Sequence, residues 1–93
     1  MRLKDEEIQS IREAILGRDP GAQIYLFGSR IDDSQKGGDI DLLVLSQKLT
    51  PTERRKIKLD LYRRFGARKI DILLAQNKEK AFVRRALEEG IAL

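Results

Sequence analysis

The chain has 93 residues, 41% of them hydrophobic, which suffices for one core, so we expect residues 1–93 to form a single small domain. The absence of cysteine and histidine excludes a disulfide framework, a thiolate zinc site and the commonest catalytic base, so any bound metal must be held by oxygen ligands. The formal charge of +4, from 19 basic and 15 acidic residues, favours an anionic partner such as ATP, nucleic acid or an acidic protein face.

The start of the chain predicts a helix followed by a strand. Three isoleucines, Ile8, Ile11 and Ile15, recur at helical spacing. They predict a helix from about Asp5 to Leu16, which would cover one side of a sheet. The short apolar run at residues 23–27 has turn residues on both sides and predicts a strand that is buried on both faces.

A pattern of small and acidic residues follows this strand. Gly28-Ser29 comes first, and after nine intervening residues Asp39 and Asp41 begin a second strand, Asp39 to Leu45. Backbone N–H groups and a hydroxyl at the end of a strand can bind an anion. Two aspartates at i and i+2 of a strand share a face, roughly 6.6 Å apart along the backbone, and can bind a divalent metal. A phosphate site beside a metal site indicates phosphoryl or nucleotidyl transfer.

The second half of the chain predicts two helices and a third strand. Residues 50–53, Thr-Pro-Thr-Glu, form a capping box with proline at the first helical position, and the helix continues until Gly66. Residues 69–74 predict a strand, and residues 78–89 predict a final helix with Phe82 facing the core. The last three residues could form a short edge strand.

A single aspartate, Asp71, lies in the apolar third strand. Its burial carries a desolvation cost that a metal ion or a cationic partner would offset, and Lys69 is one such partner. If Asp71 lies beside Asp39 and Asp41, three carboxylates share one site. Two like charges about 4 Å apart repel by roughly 4 kcal/mol at an effective dielectric of 20, which favours bound Mg²⁺ or a raised pKa.

The order Gly28-Ser29, Asp39, Asp41 and later Asp71 resembles the DNA polymerase β-like nucleotidyltransferase superfamily. The short length resembles its smallest members, the minimal nucleotidyltransferases (MNT). This resemblance implies the nucleotidyltransferase fold of the α+β class, in which a small mixed β-sheet has helices packed mainly on one face. The elements would form an αβαβαβ core plus a C-terminal helix.

The resemblance also implies a reaction and the residues for it. A hydroxyl attacks the α-phosphate of a nucleoside triphosphate, ATP being the expected donor, and pyrophosphate leaves. Two Mg²⁺ ions, or Mn²⁺ in their place, would be bound by aspartates, and one of these, Asp71, would orient or deprotonate the attacking hydroxyl. The implied catalytic and metal-binding residues are Asp39, Asp41 and Asp71; the implied nucleotide-binding residues are Gly28, Ser29 and Arg30.

Relatives of this size commonly act as antitoxins of a HEPN-domain RNase. The resemblance therefore implies a HEPN toxin as partner and a tyrosine hydroxyl of that toxin as the acceptor of AMP. The length leaves no room for a separate acceptor-binding domain, so we expect the partner to bring the acceptor. The chain could form a homodimer or a hetero-oligomer with its partner.

No targeting signal or long apolar run is recognisable, so we expect a cytoplasmic protein that does not enter a membrane. The basic residues of the predicted helices have no interleaved aromatic residues. We therefore interpret them as solvated helix faces and do not expect direct nucleic-acid binding. They include Arg54, Arg55, Lys56, Lys58, Arg63, Arg64, Arg84 and Arg85.

Two alternatives stay open. Asp32 and Asp33 stand where many relatives have a basic residue and glycine, so the chain could be a catalytically weak module that neutralises a toxin by binding it. A metal nuclease is the other alternative, because Asp41 or Asp71 followed by Gln76-Asn77-Lys78 faintly resembles a D…(E/Q)xK site. The nuclease hypothesis leaves Gly28-Ser29 unexplained.

Overall fold

A computed structural model describes residues 3–27, 40–66 and 69–93 of the chain. Most of its helices and strands begin and end where the local sequence signals place them. In chain order the elements are α1 (Asp5–Leu16), β1 (Gln23–Phe27), β2 (Ile40–Leu45), α2 (Pro51–Phe65), β3 (Ile70–Ala75), α3 (Ala81–Glu89) and β4 (Ile91–Ala92).

The four strands form one mixed sheet in the order β3-β2-β1-β4. β1 pairs with both β2 and β4 in antiparallel fashion, whereas β2 and β3 are parallel. Parallel neighbours need a crossover connection, and α2 provides it. The expected short edge strand at the C-terminus is present as β4, and the predicted α+β fold class is confirmed.

The sheet buries both of its faces, because alternate residues of each strand point to opposite sides. One face packs against α1 and α2, and the other packs against α3, so two of the three helices share a face. The first cluster includes Ile11, Ile15, Leu26, Leu42, Ile57, Leu61 and Ile70. The second includes Leu43, Leu45, Val83 and Ala86. Among the helices of the described ranges, none is both long and apolar enough to cross a bilayer.

The boundaries of α2 follow the predicted capping chemistry. The Thr50 hydroxyl accepts a hydrogen bond from the backbone N–H of Glu53 at 3.2 Å, and the Glu53 carboxylate accepts one from the N–H of Thr50 at 3.4 Å. The helix ends at Gly66, whose φ of +76° lies in the region that favours glycine. α2, which provides the crossover between β2 and β3, is therefore fixed at both ends by local signals.

The final helix differs from its prediction in start and orientation. It begins at Ala81 and not at residue 78, because the Asn77 side chain accepts a hydrogen bond from the N–H of Glu79 at 3.0 Å and holds a turn there. Phe82 does not face the core: it is 49% exposed, with the Lys80 ammonium 5.8 Å from its ring centroid. Val83 is fully buried in its place, whereas Ala86 and Leu87 pack inward as their helical spacing predicts.

Candidate functional site

Three neighbouring strands each contribute one residue to a row at one end of the sheet. Phe27, the last residue of β1, pairs with Asp41 of β2, and Asp41 pairs with Asp71 of β3. Adjacent strands lie about 4.8 Å apart, and directly paired residues share a face. The structure thus brings Asp41 and Asp71 side by side, as the sequence suggested for these two.

Four of the residues expected at the site lie outside the described residues. They belong to residues 28–39, between Phe27, the last residue of β1, and Ile40, the first residue of β2. Their roles stay predictions. They are Gly28, Ser29, Arg30 and Asp39.

Asp71 is less buried than its apolar neighbours suggested. It lies near the start of β3, which is an outer strand of the sheet, and its side chain is 50% exposed. The ammonium groups of Lys58 and Lys69 each lie 3.9 Å from one of its carboxylate oxygens. Exposed pairs of this length contribute at most about 1 kcal/mol. The expected large desolvation cost is therefore absent, and the cations around Asp71 are weakly held.

The two carboxylates fit a hard divalent cation. Mg²⁺ in phosphoryl-transfer sites is commonly bound by one or two carboxylates, with water and substrate phosphates completing the coordination. Asp41 and Asp71 supply two such groups on one face at strand spacing. Within residues 3–27, 40–66 and 69–93, no group of three or more potential ligands is present, and the expected third, Asp39, lies outside these ranges.

A basic cleft adjoins Asp71 on the side of α2. It has a volume of about 300 Å³ and is lined by Pro51, Arg54, Arg55, Lys58, Asp71 and Ile72. The sequence-based interpretation of this part of α2 as a plain solvated face is therefore incomplete. The sequence shows no local sign of the cleft, because its two sides come together only when β3 pairs with β2 and Asp71 comes to lie beside α2.

Another aspartate, Asp19, joins two loops at the opposite end of the sheet. The Asp19 side chain accepts a hydrogen bond from the Ser46 hydroxyl at 2.5 Å and one from the N–H of Gly21 at 3.0 Å. The Ser46 hydrogen bond, aided by that of Gly21 and by nearby Lys48, holds the pKa of Asp19 below its usual value despite burial. Ser46 also accepts hydrogen bonds from the N–H groups of Lys48 and Leu49. The sequence analysis missed this junction between two loops.

The nuclease hypothesis does not fit these positions. Gln76-Asn77-Lys78 follows Ala75 at the far end of β3, so Gln76 lies five residues beyond Asp71. At strand rise this separation is about 16 Å. One metal ion cannot contact Gln76 together with Asp71 or with Asp41, which pairs with Asp71, so the D…(E/Q)xK interpretation is not supported.

Comparisons with known proteins identify a family for the chain and structures with the same fold. A family model described as "Polymerase beta, Nucleotidyltransferase" matches residues 9–93. A chain in the crystal structure of a mutant toxin-antitoxin MntA-HpeT is similar, with a TM-score of 0.70 and 22% sequence identity over 98% of this chain and 71% of that chain. No curated protein matches the chain. The structural likeness establishes a shared fold.

Proposed function

Because the chain belongs to the polymerase beta nucleotidyltransferase family, we propose that it is an Mg²⁺-dependent enzyme that transfers AMP from ATP to a hydroxyl group. The acceptor in this proposal is a tyrosine of a HEPN-domain toxin, and the transfer silences that toxin. The observation that carries the proposal is the direct pairing of Asp41 with Asp71 in the row that begins at Phe27, the end of β1. A toxin partner is supported by the likeness to a chain from a toxin-antitoxin structure.

Asp41 and Asp71, together with Asp39, would hold the metal. When bound there, Mg²⁺ neutralises charge on the transferring phosphoryl group and favours ionisation of the attacking hydroxyl. Gly28, Ser29 and Arg30 would bind the triphosphate through N–H groups, a hydroxyl and a guanidinium. The division of labour is that of phosphoryl-transfer enzymes in general, in which positioning and charge compensation dominate.

Asp71 is the residue best placed to meet the acceptor. Its carboxylate is half exposed on an outer strand, so an incoming hydroxyl can reach it without opening the core. In the proposed reaction the hydroxyl oxygen forms a bond to the α-phosphorus. The bond from that phosphorus to the β-bridging oxygen breaks, pyrophosphate leaves, and the hydroxyl proton passes to a carboxylate oxygen of Asp71.

A second function, neutralisation by binding alone, is favoured by one feature of the site. Lys58 and Lys69 lie on both sides of the Asp71 carboxylate and offer it positive charge in place of a metal. These lysines would weaken metal binding at Asp71, and Asp32 and Asp33 in the sequence would weaken triphosphate binding. In this case the chain would occupy the toxin surface without modifying it.

The two functions are separated by one experiment. The chain is co-purified with the product of the neighbouring reading frame and incubated with α-labelled ATP and Mg²⁺, Mn²⁺ or EDTA. We expect label on the partner, lost with EDTA and reduced by about 10²-fold or more in Asp41→Asn and Asp71→Asn. Asp60→Asn, a matched change on α2, keeps full transfer. Complex formation with no label under any condition would support binding alone.

A further inference from the structure

The cleft between α2 and β3 opens at the outer edge of the sheet. β3 is the terminal strand in the order β3-β2-β1-β4, and Asp71 and Ile72 form the strand side of the cleft. Arg54, Arg55 and Lys58 form the helix side. Three cations therefore face one carboxylate, and the cleft attracts an anionic group.

The two arginines of the cleft differ from the arginine on the opposite side of α2. Arg64 pairs with Glu13 at 3.1 Å and with Asp60 at 3.3 Å. Among the residues that the structure describes, neither Arg54 nor Arg55 forms an ion pair. A guanidinium without a partner is well suited to bind a carboxylate through two parallel hydrogen bonds. The cleft therefore offers two donors that the rest of the described fold does not use.

Exposed apolar side chains extend the same side of α2. Leu59 is 53% exposed and Tyr62 is 37% exposed. At about 100° per residue they lie within roughly 140° of arc that also contains Arg54, Arg55 and Lys58. We name these five residues the acceptor face. Arginine and aromatic residues are enriched at protein interfaces. A nucleotide phosphate would bind the basic residues of this face but would not contact its apolar side chains.

The acceptor face lies on the side of Asp71 that is away from the expected triphosphate site. Phe27 ends β1 immediately before Gly28 in the sequence, whereas the cleft lies beyond β3, two strands or about 9.6 Å from Phe27 along the row. In-line transfer places the entering and leaving oxygens on opposite sides of the phosphorus. An acceptor that enters from the β3 edge and a donor that is bound on the β1 side satisfy this condition.

We infer that the acceptor face docks an acidic segment of the acceptor protein and so delivers its hydroxyl to Asp71 from the β3 edge. The inference rests on the proposed transferase function and adds the chemistry of the partner. Carboxylates of the segment would bind Arg54 and Arg55, and its apolar residues would cover Leu59 and Tyr62. Lys58, 3.9 Å from Asp71, would mark the inner end of the docked segment.

The test uses short tyrosine peptides flanked either by glutamates or by lysines, each carrying a fluorophore. Binding is measured by anisotropy, and transfer by α-labelled ATP with Mg²⁺. We expect the glutamate peptide to bind at least about tenfold more tightly than the lysine peptide and to be labelled correspondingly faster. The double variant Arg54→Glu/Arg55→Glu should lose this preference. The matched double variant Lys56→Glu/Arg63→Glu, exposed on α2 outside the arc of the acceptor face, should keep it.

The possible results separate this inference from the proposed function. Equal binding of both peptides to the unmodified protein would overturn the inference, whether or not label is transferred. A double variant in which KM for ATP rises while peptide affinity stays constant would assign the cleft to the nucleotide and overturn it too. Preferential binding of the glutamate peptide without any transfer would sustain the docking surface and count against the transferase. Thermal melts of both double variants show whether the exposed substitutions leave the fold intact.

Discussion

The two ends of the sheet use aspartate in opposite ways. At one end Asp19 is 4% exposed, and its carboxylate is held by the Ser46 hydroxyl and the Gly21 N–H. At the other end Asp71 is half exposed, with two lysines at 3.9 Å. The fold uses the hydrogen-bonding capacity of Asp19 for its own stability, whereas it leaves that of Asp71 largely available to ligands. Burial and hydrogen-bond geometry thus distinguish an aspartate that the fold uses for itself from one that it leaves accessible to ligands.

The largest expected effect comes from making the same substitution, aspartate to asparagine, at each end of the sheet. Asp71→Asn should reduce AMP transfer by about 10²-fold or more and change unfolding free energy by less than about 0.5 kcal/mol, because exposed pairs contribute little. Asp19→Asn should lower stability without lowering activity of the folded protein. Urea unfolding and label transfer on both variants measure this crossover. Equal stability losses in the two variants would erase the distinction.

Ser46→Ala should destabilise the protein by about 1–3 kcal/mol, because buried polar groups lose their partner. The groups concerned are the Asp19 carboxylate and the N–H groups of Lys48 and Leu49. Urea midpoints report the loss. Ser10→Ala on α1 serves as the matched control and should stay within about 0.5 kcal/mol of the unmodified protein. A Ser46→Ala variant as stable as this control would show that the loop junction contributes nothing.

The acid stability of the protein should depend on the same junction. The folded-state pKa of Asp19 lies below its usual value, so its ionised form is favoured by folding. This contribution is complete above the unfolded pKa of about 3.9 and is lost as the pH falls from there through the lowered folded pKa. Stability measured against pH should therefore fall less steeply in Ser46→Ala than in the unmodified protein. Superimposable slopes would contradict the assignment.

The smallest expected effect concerns Mg²⁺ binding at the end of the sheet that carries Asp71. Lys58→Met removes one of the two cations beside Asp71. Because an exposed pair contributes at most about 1 kcal/mol, Mg²⁺ should bind about two- to fivefold more tightly to this variant, with stability nearly unchanged. Titration calorimetry with Mg²⁺ measures the shift. Weaker binding would mean that Lys58 supports the metal site and does not compete with it.

The sequence predicted those elements whose signals are local. The bounds of α1, both ends of α2 and the short β4 follow from residues within a few positions of each boundary. The predicted start of α3 was wrong, because a hydrogen bond to the Asn77 side chain holds a turn where a helix was expected. The placement of α3 on the second face depends on packing with β1 and β2, which no local pattern encodes.

The candidate site was predictable to a similar extent. Asp41 and Asp71 could be paired in advance because both interrupt apolar strands. The junction of Asp19 with Ser46 joins residues 27 positions apart, and each looks like an ordinary turn residue by itself. The basic cleft escaped for the same reason, because its strand side and its helix side come from separate parts of the chain.

The parallel pairing of β2 with β3 has a consequence for how the protein is made. Asp41 leaves the ribosome before α2 and β3, so the nascent chain carries one carboxylate of the row without its neighbour. The crossover must fold before the second carboxylate is in register, and pairing of such distant segments is slow relative to helix formation. Ribosome-bound fragments that end within α2 therefore cannot bring the two carboxylates together. Asp41 and Asp71 become neighbours only after β3 has joined the sheet.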